Sequence, residues 1–163
     1  MKFQAPAGHP AGVYLFVEPA MELVVSAADT PALREESFAL RRRVFVGEQQ
    51  VPEALERDEH DATAFHAVAL RDGRVVGTGR LVAQPGGVGR VGRMAVDRGE
   101  RRGGVGERLL QALEARARAD GLREIELHAQ CYVEAFYARA GYVRAGEPFV
   151  EAGIDHVVMR KRL

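Results

Sequence analysis

The sequence has no tryptophan, one cysteine and a formal net charge of zero, and the last two features argue against a disulfide-bonded fold and against a nucleic-acid-binding surface. Because Cys131 is alone, no disulfide can join two parts of the chain, which fits a reducing, cytoplasmic location. The 23 basic and 23 acidic side chains balance, so we expect no electrostatic capture of nucleic acid. No apolar run approaches the roughly 18 residues of a membrane span, so we expect no membrane partner.

The length of 163 residues suits one domain with one buried core. Residues 1–20 contain three prolines and show no periodic pattern, so we predict a loose N-terminal extension there. Their apolar stretch is interrupted by Glu18 and Pro19, which is untypical of a signal peptide. The folded domain is therefore predicted to span residues 21–163.

The first half of the domain is predicted to begin with a strand at 23–25 and a helix that continues to about residue 45. Asp29 or Thr30 caps this helix, and Pro31 lies in its first turn. The acidic segment 53–61 follows, and we predict a solvated loop with short helical turns. Its possible metal ligands match no familiar spacing, so no metal is expected; they are Asp58, His60 and Asp61.

The remaining pattern predicts a sheet with two helices. A hairpin turn at Asp72-Gly73 joins two strands, and a loop is predicted over 84–89. The resulting order indicates a mixed α/β (α+β) domain with one crossover, and not a doubly wound sheet. The predicted strands are 65–70, 75–82, 91–96, 125–129, 142–145 and 156–161, and the predicted helices are 103–120 and 133–140.

A glycine-rich turn at the start of the 103–120 helix indicates a phosphate or pyrophosphate site. Free backbone N–H groups and the helix dipole favour an anion at a helix start. Glycine leaves that backbone open to a ligand, and arginine adds positive charge beside it. The alternative is a glycine turn that only makes a tight bend. The residues concerned are Arg101, Arg102, Gly103, Gly104 and Gly106.

Two other phosphate-binding motifs fit this turn poorly. A P-loop needs Lys and Ser or Thr after its last glycine, whereas Glu107 follows Gly106 here. A dinucleotide fingerprint needs a third glycine where this chain has Leu109. Glu126 does lie about 20 residues on, where a ribose-binding acid would sit, but the loop before the glycines is too long for that fold.

Three stretches, taken in order, resemble motifs of the GNAT (Gcn5-related N-acetyltransferase) superfamily. Arg101-x-x-Gly104-x-Gly106 matches its pyrophosphate motif, and Arg93-Met94-Ala95-Val96 lies where the family has its splayed strand. Phe136-Tyr137-x-x-x-Gly141-Tyr142 matches a third motif. The resemblance covers about residues 21–163. It implies a central, mostly antiparallel twisted sheet flanked by helices, with one parallel strand pair around the cofactor helix.

A narrower resemblance is to the ElaA-type branch of this superfamily. It rests on three segments: Arg43–Gln49, Leu127–Gln130 and Glu151–His156. This branch does not identify the acceptor, which could be a small amine, an amino acid, an antibiotic or a protein lysine.

The resemblance implies that acetyl-CoA is the co-substrate and that acetyl transfer to an amine is direct, within a ternary complex. The residues that it assigns to the cofactor site are Met94, Ala95, Val96, Arg101, Arg102, Gly103, Gly104, Val105, Gly106 and Tyr137.

The transfer requires a base, an oxyanion partner and an acid. An amine with a pKa of about 10.4 must lose a proton before it attacks, and His128 or Glu48 is the predicted base. A backbone N–H near Met94–Val96 is predicted to stabilise the oxyanion. Tyr137 is predicted to protonate the thiolate that leaves. A covalent route through Cys131 would need an activating base.

The acceptor side carries the remaining predicted residues. Many relatives have an acid where this chain has Arg93, so Arg93 is predicted to contact an anionic part of the acceptor. Glu126 and His156 complete the predicted acceptor-binding residues.

Two other functions stay open at this level. One is a non-catalytic, CoA-binding regulatory module. The other is an acyl-homoserine-lactone synthase, although the chain lacks the tryptophan-rich N-terminal signature of that class. The sequence allows a homodimer and does not fix the oligomeric state.

Overall fold

The structure is a computed structural model, and it describes residues 22–163. The prediction for residues 1–20 and the predicted domain start at Met21 lie outside this range. Eight strands and four α-helices are found in the described range. The strands are β1 (Leu23–Ala27), β2 (Phe65–Arg71), β3 (Arg74–Gln84), β4 (Val88–Val96), β5 (Glu124–Gln130), β6 (Val143–Arg144), β7 (Phe149–Glu151) and β8 (Ile154–Arg162), and the helices are α1 (Pro31–Arg41), α2 (Glu53–Glu56), α3 (Val105–Ala119) and α4 (Glu134–Arg139).

One sheet contains all eight strands, in the order β1-β2-β3-β4-β5-β8-β6, and β7 also pairs with β8. Every pair is antiparallel except β4 and β5, which run parallel because the crossover helix α3 connects them. The predicted mixed fold with one parallel pair is confirmed. The predicted loop over 84–89 is shorter than expected because β3 continues to Gln84 and β4 begins at Val88, and β7 was not predicted.

The two parallel strands pair only at one end. Val88, Gly89 and Arg90 of β4 face Glu124, Ile125 and Glu126 of β5, and no further pairs follow. Beyond these three pairs β4 and β5 separate, and we call the resulting opening the splay. The splay lies beside the N-terminus of α3.

Helix α3 packs closely on one face of the sheet because β3 has glycine where the helix crosses it. A Cβ atom added to Gly77 would lie 2.7 Å from Cγ1 of Val105 and 2.8 Å from Cδ1 of Leu109. A Cβ on Gly79 would lie 2.9 Å from Cδ1 of Leu113. These contacts leave no room for a side chain, so the two glycines set the distance between the start of α3 and the sheet.

Helix α1 covers the other face of the sheet. The hydroxyl of Thr30 accepts a hydrogen bond from the backbone N–H of Leu33, which confirms the predicted cap. The α-helix ends at Arg41, earlier than predicted, and continues as a π-helix over Arg42–Glu48. Its wider turn is closed by the bond from the Gln49 N–H to the Val44 carbonyl. Single π-helical turns are frequent at functional sites.

The predicted solvated loop at 53–61 forms two short helical turns, as expected, and Glu53 and Glu59 are exposed, but two of its acids are buried. Glu56 and Asp61 are only 4% and 6% exposed. Arg41 Nε donates to Glu56 at 2.5 Å, and Arg41 Nη1 donates to Asp61 at 2.7 Å. Arg80 donates to both Asp61 and Asp58, at 2.7 Å and 2.6 Å. The prediction was wrong for these two acids, because the sequence shows the acids but not the buried arginines that pair with them.

Candidate functional site

The backbone of Gly103–Gly106 at the N-terminus of α3 is open to a ligand, and we call this segment the cradle. Gly104 is the N-cap residue with φ of +82°, and no side chain caps the helix. A Cβ on Gly104 would meet nothing within 4 Å, so this backbone faces open space. A side chain there would adopt a strained left-handed conformation and would project into this open space. The N–H groups of the first helical turn are thus free to bind an anion.

Arg101 lies at the edge of this cradle and also contacts the splay. Its Nε donates to the carbonyl of Val96 at 3.0 Å, which ties the loop to the end of β4. Its Nη2 donates to Oε2 of Glu48 at 2.8 Å. The structure therefore brings the predicted pyrophosphate arginine into contact with one of the two predicted bases.

A bulge in β4 lies in the part of that strand that borders the splay. The β3–β4 register shifts between Thr78 and Arg80, so Arg93 and Met94 have no regular partners on β3. Arg93 has φ of +52°, which is rare for a residue with a side chain. Such bulges re-aim local groups next to active sites. This segment contains the backbone N–H groups that were predicted to bind the oxyanion, and Ala95 after it is buried.

Tyr137 lies on α4, packed against the core on the α3 side of the sheet. Its ring contacts Phe136 and Tyr142 edge-on, at centroid distances of 5.0 and 5.9 Å. Its hydroxyl makes no hydrogen bond to any residue of the described range. Burial, with a smaller contribution from Tyr132, raises the pKa of Tyr137 to about 12. The side chain is therefore protonated at neutral pH, as a proton donor must be.

The polar face of β5 carries Glu126, an acid that pairs with two arginines, and His128, an imidazole that lies next to one carboxylate. Glu126 accepts from Arg90 at 2.5 Å and from Arg160 at 2.8 Å. Burial alone would raise the pKa of Glu126, but the two guanidinium groups hold this pKa below its ordinary value. His128 lies 3.3 Å from the Glu151 carboxylate through Nδ1, and its ring meets that of Phe149 edge-on at 5.1 Å.

His156 lies next to this face, on β8. Its Nδ1 is 2.7 Å from the carbonyl of Ile154, and its ring stacks on Phe149 at 5.9 Å. Only 9% of the His156 side chain is exposed. The structure thus places His128 and His156 around one phenylalanine, with Glu151 beside both of them.

Arg93 points its guanidinium at the acidic segment instead of the splay. It donates to the carbonyls of Glu56 and Leu55 at 2.9 and 3.1 Å, and to Asp58 at 3.3 Å. Burial, followed by the nearby Arg80 and Arg41, lowers the pKa of Arg93. An acceptor contact would have to compete with these bonds, which fasten the α2 segment to the bulge.

Two residues at the splay were not predicted as site residues. Gln49 accepts from Gln130 at 2.8 Å and donates to the Tyr132 hydroxyl at 3.2 Å. That hydroxyl donates in turn to Gln130. Gln49 and Tyr132 are 83 positions apart in the chain, so no local pattern could have connected them.

Cys131 begins the short turn after β5 and is partly exposed. No base among the described residues forms a hydrogen bond with its thiol, so the activation required for a covalent route has no candidate there. Over residues 22–163, no cluster of three or more His, Cys, Asp or Glu side chains could hold a metal ion. No helix in the same range is long and apolar enough to cross a membrane.

Comparisons with known proteins agree with this geometry. The Bacillus subtilis protein YjcF, described as an uncharacterized N-acetyltransferase, is 36% identical over 128 residues, which cover 78% of this chain and 91% of YjcF. The structure of an acyl-CoA N-acyltransferase from Pseudomonas aeruginosa is 30% identical and aligns with a TM-score of 0.75 over 87% of this chain and 99% of that one.

Escherichia coli ElaA shares the fold, with a TM-score of 0.76 and 22% identity over 87% of this chain and 99% of its own. The sequence model of the acetyltransferase (GNAT) domain matches residues 28–163, which include every strand except β1 and all four helices. With the glycine cradle, the splay and this match together, the chain belongs to the GNAT acetyltransferase family.

Proposed function

We propose that this protein transfers an acetyl group from acetyl-CoA directly to an amine. The observation that carries the proposal is the cradle at Gly104, which is open, uncapped and flanked by Arg101 at the mouth of the splay. A pyrophosphate suits such a site because glycine admits it to the backbone and arginine forms charge-assisted hydrogen bonds with it.

The cofactor site would extend from this cradle along the end of β4. Arg101, Arg102 and the backbone of Gly103–Gly106 would hold the pyrophosphate, while Met94, Ala95, Val96 and Tyr137 would line the path to the thioester. Bound acetyl-CoA would supply the activated acetyl group. A backbone N–H of the bulge at Arg93–Met94 would stabilise the negative charge that develops on the acetyl oxygen.

Proton transfers would use side chains on opposite sides of the splay. Glu48 or His128 would accept the proton of the amine, since both lie near the opening and neither is held by two cations as Glu126 is. Tyr137 would donate to the departing sulfur. The acceptor would enter beside His128, His156 and Phe149.

The proposal is tested by incubating the protein with acetyl-CoA and a panel of amines while free coenzyme A is measured. Gly104→Asp should abolish CoA binding and turnover, because it adds bulk and negative charge to the cradle. The matched control is Gly121→Asp, since Gly121 also has positive φ and open space but lies beyond the far end of α3.

We expect the wild type and the Gly121→Asp variant to gain thermal stability with CoA, by about 2.7 kcal/mol at 100 times the dissociation constant. A CoA-induced shift that Gly104→Asp retains would contradict the assigned site. A wild type that shows no shift at saturating CoA would contradict the proposed function.

A further inference from the structure

The arginine of the proposed cofactor cradle is already paired with a carboxylate of the same chain. Arg101 and Glu48 form an ion pair at 2.8 Å, and both side chains are partly exposed, at 39% and 29%. The other hydrogen bond of Arg101, from Nε to the Val96 carbonyl, holds the guanidinium beside the cradle. An anion bound there would find Nη2 of Arg101 occupied by Glu48, whereas Nη1 has no hydrogen bond to any residue of the described range.

The carboxylate comes from a segment that reaches both sides of the splay. Glu48 ends the π-helix and contacts Arg101 on the β4 side. The next residue, Gln49, contacts Gln130 and Tyr132 on the β5 side. The position of Glu48 is therefore set by contacts across the opening.

We propose, building on the function proposed above, that Glu48 competes with the pyrophosphate of CoA for Arg101. Both groups are anions that are attracted to the same guanidinium, and Glu48 already occupies its Nη2, so each weakens the binding of the other. When the pyrophosphate takes Arg101, the carboxylate of Glu48 is released at the mouth of the splay. There it is free to bind the ammonium group of an acceptor or to take its proton.

The exchange makes the cofactor a condition for productive acceptor binding. Before CoA binds, the negative charge of Glu48 is neutralised by Arg101 and offers little to a cationic amine. Once CoA is bound, the same carboxylate is unpaired. Glu48 thus acts as an internal ligand of the cofactor site.

Removing the internal competitor should tighten CoA binding. Exposed ion pairs contribute a few tenths to about 1 kcal/mol, so we expect Glu48→Gln to lower the dissociation constant of CoA about two- to fivefold. Calorimetric titration of the full chain with CoA measures this directly. The matched control is Glu53→Gln, which removes the same charge from an acid that pairs with Arg42; its CoA affinity should equal that of the wild type.

A double-mutant cycle then separates competition from a general loss of negative charge. In the Arg101→Ala background, where CoA binds more weakly, Glu48→Gln should have no further effect on the dissociation constant. An effect that persists without Arg101 would overturn the proposal, because it would show that the pair is not its origin. A Glu48→Gln affinity equal to or below that of the wild type would overturn it as well. The proposed function would survive both results, whereas a wild type that does not bind CoA would overturn both proposals.

Discussion

At the scale of single residues, the polar groups of the candidate site differ in whether they already have hydrogen-bond or ion-pair partners within the chain. Glu126 is held by two arginines, Arg93 is bonded to the α2 segment, and Arg101 is shared between Val96 and Glu48. His128 has one exposed partner, Glu151, and Tyr137 has a buried hydroxyl without one among the described residues. His128 and Tyr137 are therefore less constrained than Glu126 and Arg93, whereas Glu48 is held by Arg101.

Tyr137→Phe tests the proposed acid. A hydroxyl whose pKa is raised to about 12 is a weaker acid than a thiol with a pKa of about 8.5, so proton donation from Tyr137 to the sulfur is uphill and its contribution to the rate should be modest. We expect kcat to fall about 10²-fold, at the lower end of the range for general acid catalysis. CoA affinity should change little, because the cradle is elsewhere.

The control for this variant is Tyr142→Phe. Its ring lies next to that of Tyr137, but its hydroxyl donates to Glu114 at 3.0 Å, inside the core. That variant should lose stability and keep kcat. Unchanged kcat in Tyr137→Phe, with chemistry rate-limiting, would make Tyr137 a packing residue.

At the scale of elements, the position of α3 depends on two glycines in a neighbouring strand. The sequence predicted the helix from its own periodicity and the anion site from its first turn. It gave no sign that Gly77 and Gly79 of β3 were required for the helix to pack so closely. The distance between the cradle and the splay is thus set by residues of a different element.

Gly77→Ala should therefore destabilise the protein. The added methyl group would lie 2.7 Å from Cγ1 of Val105, which follows the N-cap of α3, so the Val105 side chain or the helix must shift. Overpacking of this kind costs about 1–3 kcal/mol, and urea unfolding measures the loss. Gly92→Ala is the control, because a Cβ on Gly92 meets nothing within 4 Å. Equal stability in the two variants would show that the close packing is not required.

At the scale of the whole molecule, the sequence predicted the local patterns well and the long-range pairs poorly. Strand alternation, the Thr30 cap and the period of α3 are local, so the mixed fold with one crossover followed from them, whereas the parallel pair was expected from the GNAT resemblance. The contacts of Glu56 and Asp61 with Arg41 and Arg80 join three separate parts of the chain. No periodicity records such pairings, and the acidic segment was therefore predicted to be solvated.

This buried network should make the protein sensitive to acid. Burial raises the pKa of Asp61, but hydrogen bonds and charge from Arg41 and Arg80 outweigh it and hold the pKa well below its ordinary value. A lowered pKa in the folded state stabilises the protein fully when the pH is above the unfolded pKa of about 3.9. This contribution is lost progressively as the pH falls toward the lower pKa of the folded state. The free energy of unfolding should accordingly decrease from about pH 5 downwards.

Asp61→Asn tests the role of the network at neutral pH. The substitution leaves Arg41 with only Glu56 and Arg80 with only Asp58, so we expect a cost of about 3 kcal/mol, at the lower end of the range for breaking a buried pair. The variant should also lose part of the acid dependence of stability. Asp120→Asn is the control, because the pair of Asp120 with Arg116 is exposed and contributes little. Similar stability of the two variants in denaturant titrations would contradict the structural role of Asp61.

The three residue pairs between β4 and β5 have a mechanical consequence. They are the only ladder in the described sheet that joins β1–β4 to β5–β8, so the sheet consists of two four-stranded leaves with a short seam. A seam of three pairs is weak in comparison with the eleven-residue β3 and nine-residue β8 on either side. A ligand that contacts both halves of the sheet across the splay would hold them together. Its binding should therefore slow the hydrogen exchange of the backbone amides in the three β4–β5 pairs.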